Sequence, residues 1–293
     1  MPTGGSGRVR STSEKIWEFL LHVFLILIVV SIILPFWFTL VSSFEKVETI
    51  GVRFWPERPT LDSYKALLER PMLGTAAFNT VARTVIGTFL TTVVSFATAY
   101  VLSKRNLPFN RFLTISVIIP MFFGGGLIPF YLQMKKMGLV NNFLLYILPS
   151  IVSGYYIMVM RNFLYSIPGD VEESALIDGA NEVRILFSIY LPMSLPIIAT
   201  IALWSAVSHW NEWFTGYIYM TDQKLIVLSV MLRRVLMEAQ TTDLFNDPAM
   251  IQQMSPKGLR SALIFVTILP ILAVYPFAQK YFVVGLTDGA VKG

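Results

Sequence analysis

The chain has 293 residues, of which 55% are hydrophobic and 14% charged, with a formal net charge of +5 and a mean hydropathy of +0.63. That balance excludes a soluble domain of this length and fits an all-α, polytopic membrane protein; the basic surplus is scattered through loops, which argues against nucleic-acid binding. With no cysteine and only two distant histidines, His22 and His209, disulfides, thiolate chemistry and a cysteine metal site are excluded, and a histidine metal site is not expected.

Residues 1–15 are rich in Gly, Ser and Arg and read as a disordered N-terminus. Phe19–Val41 is longer than a signal-peptide core and no small-residue cleavage site follows it, so it reads as the first transmembrane helix, completing with its outer loop a segment over 16–72. A short helix is expected around Leu61–Glu69. Five further stretches, Leu73–Leu102, Phe112–Met134, Phe143–Met160, Ile185–His209 and Ser261–Gln279, are long enough to cross a bilayer core of about 30 Å. They form a core over 73–283, followed by a tail over 284–293, and six spans put both termini on one side. Lys and Arg are nearly balanced between the two sides, and the tight Lys104/Arg105/Arg111 cluster favours cytoplasmic termini.

Within the third span, Pro120, Gly124, Gly125, Gly126 and Pro129 cannot continue as a plain helix. Either the helix ends early or it breaks beside a pathway. Arg83 lies well inside the second span, where arginine needs a partner. Glu212 is the sole acid offered by the other spans, at the outer end of the fifth, so Arg83 is expected to snorkel, to pair across a subunit boundary or to meet an anionic solute. Trp210, Asn211 and Glu212 sit in an aromatic cluster at that outer end, consistent with an interfacial belt or a saccharide contact. The stretch 221–259 reads as an external loop, helical through about Met237.

Between the fourth and fifth spans lies Ile167–Pro192, the polar stretch that looks able to address another protein. Asp170 and Glu173 have capping-box spacing, Gly179 is suited to a left-handed helix stop, and Asn181 is suited to cap a second helix. Glu172, Glu173, Asp178, Glu182 and Arg184 give this bent unit a charged surface. No nucleophilic triad, paired-carboxylate site or GxxxxGK[ST] loop occurs, so an intrinsic ATPase of that kind is not expected.

Glu173-Ser174-Ala175, three residues, Gly179, nine residues and Ile189-Tyr190-Leu191-Pro192 resemble the EAA motif of ATP-binding-cassette importer permeases, with Ser174 in place of the middle alanine. The end of the chain, Gln279–Gly293, is similar to the MalG-like sugar-importing branch, and Phe123–Leu132, FGGGLIPFYL, to its LplC-like subgroup. The resemblance implies a MalG-like type I importer domain in the bacterial inner membrane with cytoplasmic termini and no catalysis of its own. Its implied partners are a larger second permease, two copies of an ATP-binding subunit that carry ATP and Mg, an extracytoplasmic solute-binding protein and an oligosaccharide, acidic ones of the alginate type included. It further implies ATPase coupling through Glu172, Glu173, Ala175, Asp178, Gly179 and Arg184, a binding-protein contact over Glu238–Gln253 and an ATPase contact by Thr287–Gly293. Arg83, Trp210, Asn211 and Glu212 are the candidate pathway residues. An ion-coupled secondary transporter, with acids in mid-span and an internal repeat, or a membrane scaffold are the competing readings.

Overall fold

The computed structural model describes residues 12–46, 51, 53–104, 106–237 and 256–290. The expected contacts over Glu238–Gln253 and the last three residues of the tail lie outside these. Two compact units are present, 1–67 with 241–265 and 68–240 with 266–293.

In the first unit, α1 (Thr12–Ser43) begins inside the stretch assigned above to disorder, so residues 12–15 form its first turn. None of the residues in its apolar window is buried. The loop after it is held locally: Trp37 donates its indole N–H to the Phe54 carbonyl at 3.0 Å, and the hydroxyls of Ser43 and Tyr64, the latter on α2 (Asp62–Leu68), meet at 2.7 Å.

In the second unit, α3 (Pro71–Ser103) starts with Pro at its first position, where the missing N–H is no loss. Its last carbonyls are satisfied from outside the helix, Leu102 by Asn110 and Arg161 and Lys104 by Asn110. In the third apolar stretch α4 (Asn110–Phe122) ends before the three glycines and meets α5 (Leu127–Lys136) at 112° across them, the geometry of a broken span or a re-entrant loop. The fourth is two short 3₁₀ pieces followed, at 42°, by α6 (Gly154–Tyr165). Then come α7 (Gly169–Ile177), α8 (Glu182–Ile185), a π-helical turn over Leu186–Tyr190, α9 (Leu191–Met193) and α10 (Leu195–Asn211). α11 (Phe214–Tyr219) and α12 (Leu228–Met237) follow α10, and α13 (Pro256–Ala290) begins in the first unit and ends in the second.

Among the described residues three helices are long and apolar enough to span a membrane, or six where each of the three bent pairs is one span. α3 packs most extensively against α10 and then α6. The approach is close because small residues face the seam: a methyl group on Gly87 would collide with the His209 ring. The core of this unit joins Phe96, Ala99, Tyr100, Ile157, Met160, Leu164, Ile185, Tyr190 and Ile201, so the polar stretch after α6 is rooted in it through Ile185 and Tyr190.

Candidate functional site

The bend of the polar segment is made by backbone chemistry. α7 is capped at its start by Pro168, with no side-chain hydrogen bond, which corrects the capping box expected at Asp170. Pro cannot occupy a helix interior but fits beside the first turn, so the helix starts two residues earlier and Asp170 and Glu172 fall in that turn, favourably placed at its positive end. At the other end Gly179 adopts φ +78°. The Ala180 N–H donates to the Ala175 carbonyl at 2.9 Å and the Gly179 N–H to the Leu176 carbonyl at 3.0 Å, the paired bonds of a Schellman stop. Ala175 and Ala180, which this pair brings together, pack against the core. Asn181 then accepts the Arg184 N–H at 2.8 Å, capping α8 as its position suggested.

A polar clamp fixes both halves of the bend to the end of α3. Lys104 bridges the carboxylates of Glu172 and Glu182, the latter at 3.0 Å. Tyr190 donates to Glu172 at 2.6 Å and Tyr100 to Glu182 at 2.8 Å, and the two rings meet edge to face at 5.0 Å under the ammonium group. Burial alone would lower the Lys104 pKa, but the hydrogen bonds to Glu172, Tyr100 and Glu182 outweigh it and hold it above the ordinary 10.5. Lys104 and Tyr190 escape sequence reasoning because their partners are 68 and 18 residues away.

Of the residues singled out, Glu172 is turned inward to this clamp and Ala175 is half-buried, whereas Glu173, Asp178, Gly179 and Arg184 are exposed. Beside them stand four apolar side chains, Leu176, Ile177, Val183 and Phe187, with Ile177 86% exposed. Sequence reasoning passed over these; the available signal was a large aliphatic residue next to a helix-stopping glycine in an otherwise polar stretch.

At the opposite end of α10, Arg83 is 1% exposed and has its partner within the chain. It lies 3.3 Å from the Glu212 carboxylate, donates to the main-chain carbonyls of His209 and Glu212, and stacks over the Tyr146 ring. Arg83 is thus satisfied inside the chain by Glu212, without snorkelling or a partner across a subunit boundary. Glu212 also accepts the Thr215 N–H at 2.7 Å, and Trp210 donates to the Thr267 carbonyl at 3.0 Å. Asn211 is exposed and bonds back to Val207. Trp210, Asn211 and Glu212 are neighbours at the end of α10, and Arg83 reaches them from α3. Among the described residues no cluster of His, Asp and Glu is arranged to hold a metal ion.

The family of binding-protein-dependent transport system inner membrane components matches residues 84–287, which include the bend, the Schellman stop and the clamp carboxylates. The chain belongs to that family. This transport component is 34% identical over 286 residues, 96% of its length and 99% of the relative's, to the polygalacturonan/rhamnogalacturonan transport system permease protein YtcP of Bacillus subtilis (strain 168). It is 36% identical to the protein LplC of the same organism, over 89% of this chain and 90% of that one. Among solved structures it is similar to a chain of a bacterial ABC transporter involved in the import of the acidic polysaccharide alginate, at a TM-score of 0.86 and 29% identity, covering 93% of this chain and 99% of that chain. Family membership sets aside the secondary transporter and the scaffold.

Proposed function

We propose that this chain is the smaller permease of an ATP-binding-cassette importer for oligo- or polysaccharide, with acidic chains of the alginate or polygalacturonan type as its cargo. The uncovered knob at Glu173–Arg184, clamped to the core through Lys104, carries this reading. A surface both exposed and rigidly rooted transmits a partner's motion to the spans behind it. Two copies of an ATP-binding subunit dock there and under a second permease, and ATP and Mg bind on those subunits; this chain carries no reaction of its own. The knob and both termini face the cytoplasm, and an external solute-binding protein delivers cargo to the other side. Support for the cargo class comes from the relatives, which are named for polygalacturonan/rhamnogalacturonan transport and alginate import.

The test is purification of a tagged chain with its genomic neighbours, followed by reconstitution in lipid vesicles. ATPase activity should be stimulated by loaded binding protein and accompanied by saccharide uptake. Glu173→Lys or Gly179→Pro should leave the chain in the membrane and abolish that stimulation. Wild-type uptake by both variants would refute the role of the knob, and purification without any ATP-binding subunit would refute the importer.

A further inference from the structure

The break in the third span is used by nothing described so far. α4 has 13 residues and rises about 20 Å at 1.5 Å per residue, short of a bilayer core of about 30 Å, so residues 123–126 leave helical form at or near membrane depth. Irregular backbone there is tolerated when it is buried in protein or lines a water-filled cavity. It is not buried: Gly124, Gly125 and Gly126 are exposed and form one wall of a 570 Å³ cleft whose other walls are Leu127, Pro129, Phe130, Phe214, Thr215 and Tyr219.

Nothing within the chain requires glycine at two of the three positions. Gly126 has φ +83° and needs it. Gly124 and Gly125 have no such angle, and a methyl group on either would meet no atom within 4 Å. No backbone hydrogen bond among the described residues involves either of them. Two unpartnered peptide units without side chains, facing an open cleft, fit close approach by a hydrogen-bonding molecule. An acyl chain offers no acceptor to these amides; a saccharide offers hydroxyl, ring and carboxylate oxygens. Phe130 and Phe214, 38% and 43% exposed, add the apolar ring faces on which a sugar's C–H face packs, and Tyr219 is held rigid beneath them by stacking on Tyr131 at 5.5 Å.

We propose that this cleft, at the end of the spans away from the knob, is a saccharide subsite of the translocation pathway. The Gly124 and Gly125 amides bond to cargo oxygens, and Phe130 and Phe214 seat the sugar ring. The inference rests on the importer reading above and adds where in this chain the cargo is touched. It is tested in the assembled transporter, with its binding protein, in vesicles, by Gly125→Val and Gly124→Val/Gly125→Val. The open space at both positions lets the variants fold, so complex yield, content of the second permease and melting temperature should match wild type. Uptake of oligosaccharide should fall about tenfold or more, the scale of one or two hydrogen bonds to amides that valine keeps but whose approach its side chain blocks. Wild-type uptake by the double variant would overturn the proposal. So would loss of the second permease, which would make the cleft a subunit contact. A wild-type complex that takes up no saccharide would instead fail the importer reading, before the variants are compared.

Discussion

Arg83 organises the end of the second unit away from the knob because a buried guanidinium must find acceptors within reach. Two main-chain carbonyls at the end of α10, one carboxylate and one aromatic ring supply them, and Tyr146, under the guanidinium, donates in turn to the Leu225 carbonyl at 2.9 Å. Removing Arg83 leaves two main-chain carbonyls without their donor and the partly exposed Glu212 carboxylate without its partner, at a cost of roughly 1–3 kcal/mol. Arg83→Met should therefore lower the melting temperature of the purified complex and depress uptake of neutral and acidic saccharides alike; a selective loss of acidic cargo would make it a pathway residue. Glu212→Gln should be milder, since that side chain is 35% exposed and Arg83 keeps its carbonyls. Gly87 makes a second prediction at this scale. Its missing side chain admits the His209 ring, so Gly87→Ala should destabilise by about 1–3 kcal/mol, and His209→Ala in the same chain should recover much of the loss, read as melting temperatures of the two variants. Arg83 and Glu212 were both visible along the chain as polar residues in apolar surroundings. Their pairing was not, because 129 residues separate them and nothing in one sequence says which helix ends meet.

The elements of the coupling segment divide along the same line. Gly179 and Asn181 were legible because a left-handed stop and an asparagine cap depend on a few neighbouring residues. The start of α7 was misplaced because Asp170 and Glu173 offer a cap that Pro168 pre-empts. The glycines of FGGGLIPFYL marked a break but not its 112° angle, which neighbouring helices set. The apolar crest was missed since exposure is a property of the folded bend. It makes the third prediction. Ile177, 86% exposed, has no core role, so Ile177→Asp should leave the amount and melting temperature of the two-permease complex unchanged. A buried crest residue at an interface is worth about 2 kcal/mol or more, so the retained ATP-binding subunit should fall by about thirtyfold in affinity, measured by its recovery on the tagged permease. Full recovery would show that the crest lies outside the contact.

Across the whole molecule, span number was legible because bilayer thickness fixes length, and the helix that joins the two working ends emerged only from contacts. α3 is about 50 Å long at 1.5 Å per residue. Near its start Asn79, 7% exposed, donates to the carbonyls of Lys224 and Ile226 at 2.7 and 3.0 Å, and the Thr80 hydroxyl accepts the Leu228 N–H at 2.9 Å, which ties the stretch before α12 to the helix. At its other end Lys104 holds the knob. A stiff element fastened at both ends carries displacement between them, so engagement of a binding protein outside and stimulation of ATP hydrolysis inside should depend on both fastenings. The fourth prediction is a double-mutant cycle on that stimulation. Asn79→Leu and Lys104→Met should each reduce it several-fold, and the double variant should be no worse than the more severe single one, since a rod cut at either end transmits nothing. Multiplicative losses would mean two independent local defects. The fastening at Lys104 also has a fixed pH signature: a lysine pKa raised on folding contributes fully below the ordinary 10.5 and is lost only as pH rises through the folded value. Stimulation should therefore show no dependence on Lys104 titration between about pH 6 and 9, and a Lys104-dependent fall within that window would mean that the clamp is open in the working transporter.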